Sequence, residues 1–352
     1  MVLHPLSNEV NEMNENRMKI LKVFEEGKEQ TIGKISEISG MGVSEVLSEL
    51  REMISDGIIE KVGRTKWVLI APNALKSTDN PLIPTGVKYL DYAGIVSKLR
   101  QAYRMKQNVL LIGPAGVGKT AAIRKVAEME GVPIRTTNFS LRTREHHFIG
   151  RLDTNRDGTL YFKKGPLIHS MEEGGIWYGD EINTAESDCL VRLDSALDFR
   201  RVLEVEDEYV EAHPDFWAVA SINPLDRYHP GTKELPGQLL SRFPIRIYMD
   251  YPPQNTEYSI VKMHAPDISG SGTRFMGYIE IMNQMRGNSD LPYHPTLRES
   301  ITLAHLLISG VPESTAITMT LVDVYGQWGK TVIRSVKEFL GSRGIKFSGD
   351  KT

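Results

Sequence analysis

The chain has 352 residues, of which 40% are hydrophobic and 25% charged, and its net charge is −3 at pH 7. This balance is typical of a globular protein with room for two or three domains, and it excludes a fibrous or wholly disordered chain. The slight negative charge argues against a protein that coats nucleic acid or anionic membrane with its whole surface.

The sequence has no bilayer-length apolar run and no signal-peptide core, and its single cysteine, Cys189, excludes an internal disulfide. We therefore expect a cytoplasmic protein that does not bind membranes.

Residues 1–70 have the periodicity of a small separate domain. Apolar residues at helical and then strand spacing predict three helices and a β-hairpin, at residues 18–24, 32–38, 43–54 and 57–70. Three helices followed by a hairpin resemble a winged helix-turn-helix domain. The sequence therefore predicts such a domain at the N-terminus, as domain 1–70.

The charges of this N-terminal domain bear on what it binds. It contains nine Lys or Arg and twelve Asp or Glu residues. Glu45, Glu49 and Glu52 lie on the third predicted helix, where they would face DNA phosphates unfavourably. Arg64 and Lys66 in the hairpin are the clear candidates for phosphate contacts. Docking to protein or packing at the end of a ring is the favoured use of the domain, and DNA binding is the alternative.

The pattern of residue types divides the rest of the chain into a linker and two larger regions. Residues 71–83 are rich in turn formers and predict a linker. From 84 to 252, short apolar runs alternate with helical patterns, which predicts an α/β fold with a parallel sheet and flanking helices. From 253 to 352 the pattern is helical. Helices are predicted near residues 255–263, 273–286, 296–309 and 313–340, the last stretch as two helices.

The strongest motif follows a short apolar strand at residues 108–112. It reads Gly113-Pro114-Ala115-Gly116-Val117-Gly118-Lys119-Thr120 and continues at Ala121 into a helix. Glycines let backbone N–H groups point at phosphate oxygens, and the positive end of the helix adds to the attraction. Lys119 is expected to contact the β- and γ-phosphates of ATP, and the Thr120 hydroxyl to bind Mg²⁺. Residues 113–120 are therefore predicted to form a phosphate-binding loop, the P-loop.

Three further elements are typical of a nucleotide-hydrolysing site. An apolar strand ends at Asp180 and Glu181, so that Asp180 can hold Mg²⁺ through water and Glu181 can polarise the attacking water. Gly179 is a departure, because an aliphatic residue is more usual there. Asn223 ends another buried strand, where it can orient the water or simply begin an Asn-Pro turn. Arg242 can serve as an arginine finger for a neighbouring subunit or form an ordinary surface pair.

These elements, in this order, resemble those of the AAA+ ATPases, and more narrowly the MoxR-type branch that includes CbbQ, NorQ and the gas-vesicle GvpN proteins. The resemblance covers residues 84–345. Nothing in the chain resembles the loop by which sigma-54 activators engage polymerase. The branch-specific strings are Phe148-Ile149-Gly150-Arg151, Lys164-Gly165-Pro166-Leu167, Gly174-Gly175, Asp180-Glu181-Ile182-Asn183-Thr184-Ala185, Ala212-His213-Pro214-Asp215-Phe216, Asn223-Pro224, Leu235-Pro236 and Ser241-Arg242-Phe243.

The resemblance implies a helical lid after residue 252 and a ring, usually a hexamer, that binds ATP between its subunits. By position, Asn223 matches sensor 1, Arg242 the finger that acts on the next subunit, and Arg298 the sensor 2 arginine of the lid. Arg298 can also simply pair with a helix neighbour. The resemblance further implies inserted hairpins that face the pore of the ring, at residues 152–162 and 200–205.

A partner with a von Willebrand A domain is a further implication of the resemblance. The metal site of that domain reads Asp-x-Ser-x-Ser, and residues 267–271 match this string. No buried strand precedes the match, however, and the residues that remain are too few for a doubly wound domain. We therefore expect a flexible lid loop there, and any such domain belongs to a separate chain.

The leading functional hypothesis is an ATP-hydrolysing ring that remodels or activates a protein client. The alternative is a nucleic-acid-binding ATPase of replication, recombination or transcription that is targeted through the winged helix. The acidity of the chain and the inserted hairpins favour the first. A winged helix is not usual in MoxR-type proteins, so the sequence leaves the client and the ring size open.

Overall fold

The computed structural model of the chain describes residues 19–20, 23, 30–55, 59–61, 66–69, 82–156, 158–206, 208–226, 228–229 and 231–347. The chain divides into two compact units, Met1–Val87 with Arg124–Ile134 and Lys88–Ile123 with Arg135–Thr352. Residues 63–65 of the predicted hairpin and 71–81 of the predicted linker lie outside the described residues. The domain boundaries at 70, 83 and 252 stay predictions.

Up to residue 69, the first unit contains two helices and a small antiparallel sheet among its described residues. Its elements are strand β1 (Gln30–Thr31), helices α1 (Ile32–Ser39) and α2 (Val43–Ser55), and strands β2 (Ile59–Lys61) and β3 (Lys66–Leu69). The strands are ordered β1–β3–β2. The core is formed by apolar side chains that include Ile35, Val46, Leu50, Met53 and Ile59. Strand β1 was not predicted, because two residues are too few to show alternation.

One acidic residue of α2 is placed differently from the sequence expectation. Glu49 is buried, at 8% exposure, whereas Glu45 is exposed. Glu49 lies three residues after the core residue Val46, and residues three apart share a helix face, so it turns inward. The acidic face of α2 is therefore smaller than the sequence suggests. Of the first predicted helix, only residues 19–20 and 23 are described, and 19–20 are helical.

An α/β core follows, which belongs to the second unit except for its segment Arg124–Ile134. Its elements are α3 (Ile95–Arg104), β4 (Val109–Ile112), α4 (Lys119–Glu130), β5 (Ile134–Asn138), β6 (Gly150–Thr154), β7 (Leu160–Lys164), α5 (Pro166–Glu173), β8 (Gly175–Asp180), α6 (Ser187–Leu197), β9 (Val202–Val205), β10 (Glu208–Glu211), β11 (Phe216–Ile222), α7 (Gly237–Ser241) and β12 (Ile245–Tyr248). Five strands form one sheet in the order β12–β4–β11–β8–β5, and β4, β8, β11 and β12 pair in parallel. The predicted α/β fold with a parallel sheet and flanking helices is confirmed.

The strand order decides where the functional side chains meet. Strands β8 and β11 are almost entirely buried, as expected of parallel strands covered on both faces. In such sheets ligands bind beyond the carboxyl ends of the strands. Strands β4, β8 and β11 lie next to one another, so the P-loop, the Asp180–Glu181 pair and Asn223 follow from neighbouring strand ends.

Two antiparallel hairpins are inserted in the chain between strands of the core sheet and are not part of it. Strands β6 and β7 pair from Gly150↔Lys164 to Thr154↔Leu160, where the sequence predicted a hairpin at 152–162. Strands β9 and β10 form the second, which extends to residue 211, past the predicted segment 200–205. That either hairpin faces a pore stays a prediction.

The C-terminal region is helical, as predicted. Its helices are α8 (Gln254–His264), α9 (Gly272–Arg286), α10 (Leu297–Ile308), α11 (Glu313–Ile317) and α12 (Lys330–Gly341). Between the last two, the chain forms a π-helical turn at Thr318–Val322 and a 3₁₀ helix at Asp323–Trp328, so the stretch 313–340 is not two plain helices. Leu321, Val322 and Tyr325 are buried in the core of this region, which keeps the connection compact.

The segment that matches the von Willebrand string is a turn between two helices. Residues Pro266–Ser271 form a 3₁₀ helix that leads directly into α9, and α8 ends at His264 just before it. The predicted loop is therefore a short 3₁₀ helix, and its place in a lid stays a prediction. Separately, every helix in the described part of the chain is too short or too polar to traverse a lipid bilayer.

Candidate active site

A cavity of about 320 Å³ lies beyond the carboxyl ends of the core strands. The P-loop forms one wall, the segment 88–92 a second, and residues of helices α8 and α10 a third. The hydroxyl of Tyr89 is buried and has no hydrogen-bond partner within the described residues, so this wall offers an unused polar group to a ligand. Predicted site residues that line the cavity are Ala115, Gly116, Val117, Gly118, Lys119, Thr120, Ala121, Asp180, Glu181, Asn223 and Arg298.

The P-loop lysine is held inside its own loop. Lys119 Nζ donates to the carbonyl oxygens of Gly113 at 2.6 Å and Pro114 at 2.9 Å, and to Asn223 Oδ1 at 2.8 Å. Gly113 and Pro114 themselves do not line the cavity; they anchor the lysine. Gly116 has a φ of 73°, in the left-handed region that glycine adopts without strain. The loop therefore has the shape and the cation that phosphate binding needs.

Burial changes the acidity of this lysine. Burial lowers the pKa of Lys119 from 10.5 to about 8, the Arg298 charge also lowers it, and Asp180 and Glu181 oppose the shift. Phosphates favour the charged ammonium, so nucleotide binding should raise this pKa again. Nucleotide affinity should then be constant well below the unbound pKa and fall as the pH rises through it.

The pH dependence can be measured directly by calorimetry. We expect ADP binding at about pH 8.5 to take up a fraction of a proton, because only part of Lys119 is charged in the free protein. Titrations in several buffers should give observed binding enthalpies that vary linearly with the ionisation enthalpy of the buffer. Equal enthalpies in all buffers would contradict this proton uptake.

Two hydroxyl groups hold the Asp180 carboxylate. Tyr178 donates to Asp180 Oδ1 at 2.8 Å, and Ser221 Oγ donates to the same oxygen at 2.5 Å. Burial raises the pKa of Tyr178, so its hydroxyl stays protonated and can donate. Thr120 Oγ1 lies 3.3 Å from Asp180 Oδ2 and 3.3 Å from the Tyr178 hydroxyl. Thr120 and Asp180 thus present adjacent oxygens of the kind that Mg²⁺ binds together with substrate phosphates.

Sequence reasoning missed Tyr178 and Ser221. Tyr178 lies two residues before Asp180 in β8, and alternate residues of a strand point to the same face. The sequence alone could therefore have predicted that the Tyr178 hydroxyl lies near the Asp180 carboxylate. Ser221 is different, because it comes from the neighbouring strand β11, and only the strand order shows that it reaches Asp180.

Glu181 and the P-loop lysine are linked through one amide group. Glu181 follows β8 with a φ of 55°, which few residues other than glycine adopt. Its N–H donates to Ser221 Oγ at 3.1 Å, and its Oε1 accepts from Asn223 Nδ2 at 3.0 Å. Because Asn223 Oδ1 also accepts from Lys119, the predicted base, the sensor and the lysine form one chain of hydrogen bonds. Unusual backbone held by its surroundings often marks functional positions.

The departure at Gly179 has a steric cause. A Cβ at this position would lie 2.8 Å from Ile182 Cγ2 and 2.9 Å from Trp177 Cη2. Both neighbours are fully buried, and Trp177 Nε1 is held by Thr137 at 3.1 Å. The large tryptophan fills the space that an aliphatic residue would otherwise occupy, so this chain needs glycine before Asp180.

Gly179→Ala is therefore expected to destabilise the protein by about 1–3 kcal/mol through overpacking. Gly277→Ala is the control, because Gly277 lies within α9 and a Cβ there meets open space. Replacing a helical glycine with alanine should stabilise by up to about 1 kcal/mol. Chemical denaturation of both variants measures the effects, and a Gly179→Ala protein as stable as the parent would contradict the steric explanation.

The two predicted arginines lie in different places. Arg298 is in the first turn of α10, where Thr296 caps the helix by accepting from the Arg298 N–H at 3.1 Å, and it lines the cavity. Arg242 follows α7 and is not among the described residues that line the cavity. Its Nε lies 3.5 Å from Asp194 Oδ1, close enough for attraction but without a hydrogen bond.

The fold and the site together define a P-loop ATPase of the AAA+ class. The parallel sheet has the P-loop after β4, the acidic pair after β8 and the polar Asn223 after β11. Residues 108–243 match the AAA domain of the dynein-related subfamily. This part of the chain is therefore an AAA ATPase domain of the dynein-related subfamily.

Individual relatives cover different shares of the chain. CbbQ of Hydrogenophilus thermoluteolus is 28% identical over 229 residues, which are 64% of this chain and 84% of CbbQ. An uncharacterized protein of Staphylococcus aureus (strain USA300) is 32% identical over 163 residues, 45% of this chain and 60% of that protein. Among solved structures, a RuvB variant of Thermotoga maritima is similar over 72% of this chain and 70% of its own, with 18% identity and a TM-score of 0.43.

Proposed function

We propose that this protein assembles into a ring, usually a hexamer in such ATPases, that uses Mg²⁺ and ATP to remodel or activate a protein client. The observation that carries the proposal is the pair of hairpins inserted into the ATPase core, β6–β7 and β9–β10. Both hairpins expose apolar side chains, which ATP binding and hydrolysis do not require. A separate chain with a von Willebrand A domain is a candidate partner.

The active-site residues have distinct roles in this proposal. Lys119 binds the β- and γ-phosphates, and Arg298 adds a second positive charge on the lid side of the cavity. Thr120 and Asp180 would hold Mg²⁺, which when bound neutralises charge on the phosphates. Glu181 is the general base for the attacking water, and Asn223 holds its carboxylate in place.

Arg242 completes the site of the next subunit in the proposed ring. It does not line the cavity of its own chain. Its Nε is near Asp194 but makes no hydrogen bond to it, so no hydrogen bond to Asp194 has to break when Arg242 reaches a neighbouring subunit. An arginine supplied by a neighbour stabilises the charge that develops during phosphoryl transfer. ATP hydrolysis would therefore depend on assembly.

The hairpins provide the proposed contacts with the client. Leu160 is 72% exposed and Tyr209 71% exposed, and Leu152 and Tyr161 add further apolar surface on the first hairpin. Exposed apolar groups of this size are typical of interaction sites. The N-terminal unit, proposed here as a winged-helix domain, would dock to protein, because the chain as a whole is acidic.

The client can be captured with a variant that holds ATP. Tagged Glu181→Gln protein should retain its client in the presence of ATP, whereas Lys119→Ala, which lacks the phosphate-binding cation, should not. Replacing both Leu160 and Tyr209 with serine in the Glu181→Gln background should release the client and leave ATP bound. Mass spectrometry and nuclease-sensitive staining identify the retained material, and nucleic acid retained instead of protein would support the rival function.

A further inference from the structure

The tip of the P-loop is held by two side chains from outside the loop. The Ala115 N–H donates to Nε2 of His229 at 3.2 Å, and the Ala115 carbonyl accepts from the Tyr251 hydroxyl at 2.9 Å. His229 follows β11, and Tyr251 lies between β12 and α8. Two separate segments thus reach the same residue of the loop.

These two contacts set the orientation of two successive peptide groups. In a planar trans peptide the C=O and the N–H point in opposite directions. The Pro114–Ala115 group gives its N–H to His229, so its carbonyl faces the other way, where it accepts from Lys119 Nζ at 2.9 Å. The next group gives its carbonyl to Tyr251, so the N–H of Gly116 points away from Tyr251, and Gly116 itself lines the cavity.

The imidazole of His229 is itself held in one tautomer. Nε2 must carry a lone pair to accept from Ala115, so the proton lies on Nδ1, which is 2.8 Å from Asp226 Oδ1. The Thr232 hydroxyl donates to the His229 carbonyl at 2.8 Å, and the side chain is only 11% exposed. This acceptor is therefore rigidly placed.

Tyr251 is anchored by the helical region. The Arg286 guanidinium of α9 lies over its ring, 4.2 Å from the centroid. Burial raises the pKa of Tyr251 to about 12, so the hydroxyl donates at neutral pH. Thr296 at the start of α10 also touches the loop tip, because a Cβ at Gly116 would lie 2.5 Å from Thr296 Cβ.

We propose that His229 and Tyr251 are positioning residues that orient the P-loop peptides for phosphate binding before nucleotide arrives. His229 turns the Pro114 carbonyl toward Lys119, and Tyr251 turns the Gly116 N–H toward the phosphates. Because Tyr251 is held by Arg286, the position of the lid helices bears directly on the loop. This inference deepens the nucleotide-binding role of the site and rests on it.

The test compares nucleotide affinity in three full-length variants and a control. Tyr251→Phe and His229→Ala should each weaken ADP binding roughly threefold to tenfold, the effect of losing one hydrogen bond. Each should raise KM for ATP and change kcat by less than about twofold, because the contacts are made equally in the ground and transition states. His229→Gln should recover most of the affinity, since its side-chain carbonyl can accept from Ala115.

Tyr325→Phe is the matched control. It removes a buried tyrosine hydroxyl that donates to the Tyr293 carbonyl at 2.7 Å and not to a residue of the P-loop. It should lower the melting temperature and leave ADP affinity unchanged. If Tyr251→Phe and His229→Ala behave in the same way, the proposal is wrong. The parent protein is titrated with ADP first, so failure of the nucleotide site itself is seen separately.

Discussion

Replacing Glu181 with glutamine is expected to stop ATP hydrolysis while ATP stays bound. Glutamine retains the size of the side chain and can still pair with Asn223, but it cannot take a proton from water. Losing a general base costs about a hundredfold to ten-thousandfold in rate. The phosphate contacts from Lys119 and the P-loop are untouched. Steady-state phosphate release and equilibrium ATP binding measure the two effects separately.

Glu186→Gln is the control for this substitution. Glu186 lies five residues further along, pairs with Lys233 at 2.6 Å and is not among the described residues lining the cavity. Its variant should hydrolyse ATP at the parental rate. If Glu181→Gln also does so, Glu181 is not the base, and the water must be activated by another group.

Replacing Arg242 with alanine is expected to abolish turnover and leave ATP affinity largely intact. An arginine finger supplied by a neighbour contributes about a thousandfold or more to kcat, because it stabilises charge that appears only in the transition state. Arg242 does not line the cavity of its own chain, so its loss should not weaken ATP binding there. Rates and affinities of the assembled protein provide the measurement.

Stability has to be followed in the same variant. Asp194 is a buried carboxylate at 9% exposure, and Arg242→Ala leaves it without its nearby cation, so some loss of stability is expected. The double variant Arg242→Ala with Asp194→Asn removes this cost and should remain inactive. Arg246→Ala, which removes a nearby arginine bound to the Leu240 carbonyl, should keep its turnover. A large loss of ATP affinity in Arg242→Ala would contradict a finger role.

The sheet and the main site residues were predictable because they depend on local patterns. Buried parallel strands appear as continuous apolar runs, and β4 leads directly into the P-loop string. Asp180 and Glu181 end one such run and Asn223 ends another. The carboxyl ends of neighbouring parallel strands share an edge, and the strand order brings the predicted residues to one cavity there.

The remaining features depend on contacts between distant segments. Ser221 reaches Asp180 across a strand pair, and His229 and Tyr251 reach Ala115 from segments more than a hundred residues away. The need for Gly179 depends on how Trp177 packs. None of these contacts can be predicted from the spacing of residues along the sequence. The inward turn of Glu49 likewise depends on which face of α2 is covered.

Mixing two inactive variants tests whether each active site is completed by the next subunit. Lys119→Ala lacks a working P-loop but retains Arg242, and Arg242→Ala retains the P-loop but lacks the finger. In randomly mixed rings about a quarter of interfaces join an intact P-loop to an intact Arg242, since neighbouring surfaces in a cyclic ring are heterologous. Native mass spectrometry shows whether mixed rings form.

We predict that mixing restores ATP hydrolysis well above the sum of the separate variants. Mixed rings that stay as inactive as their parents would contradict a site completed by the next subunit.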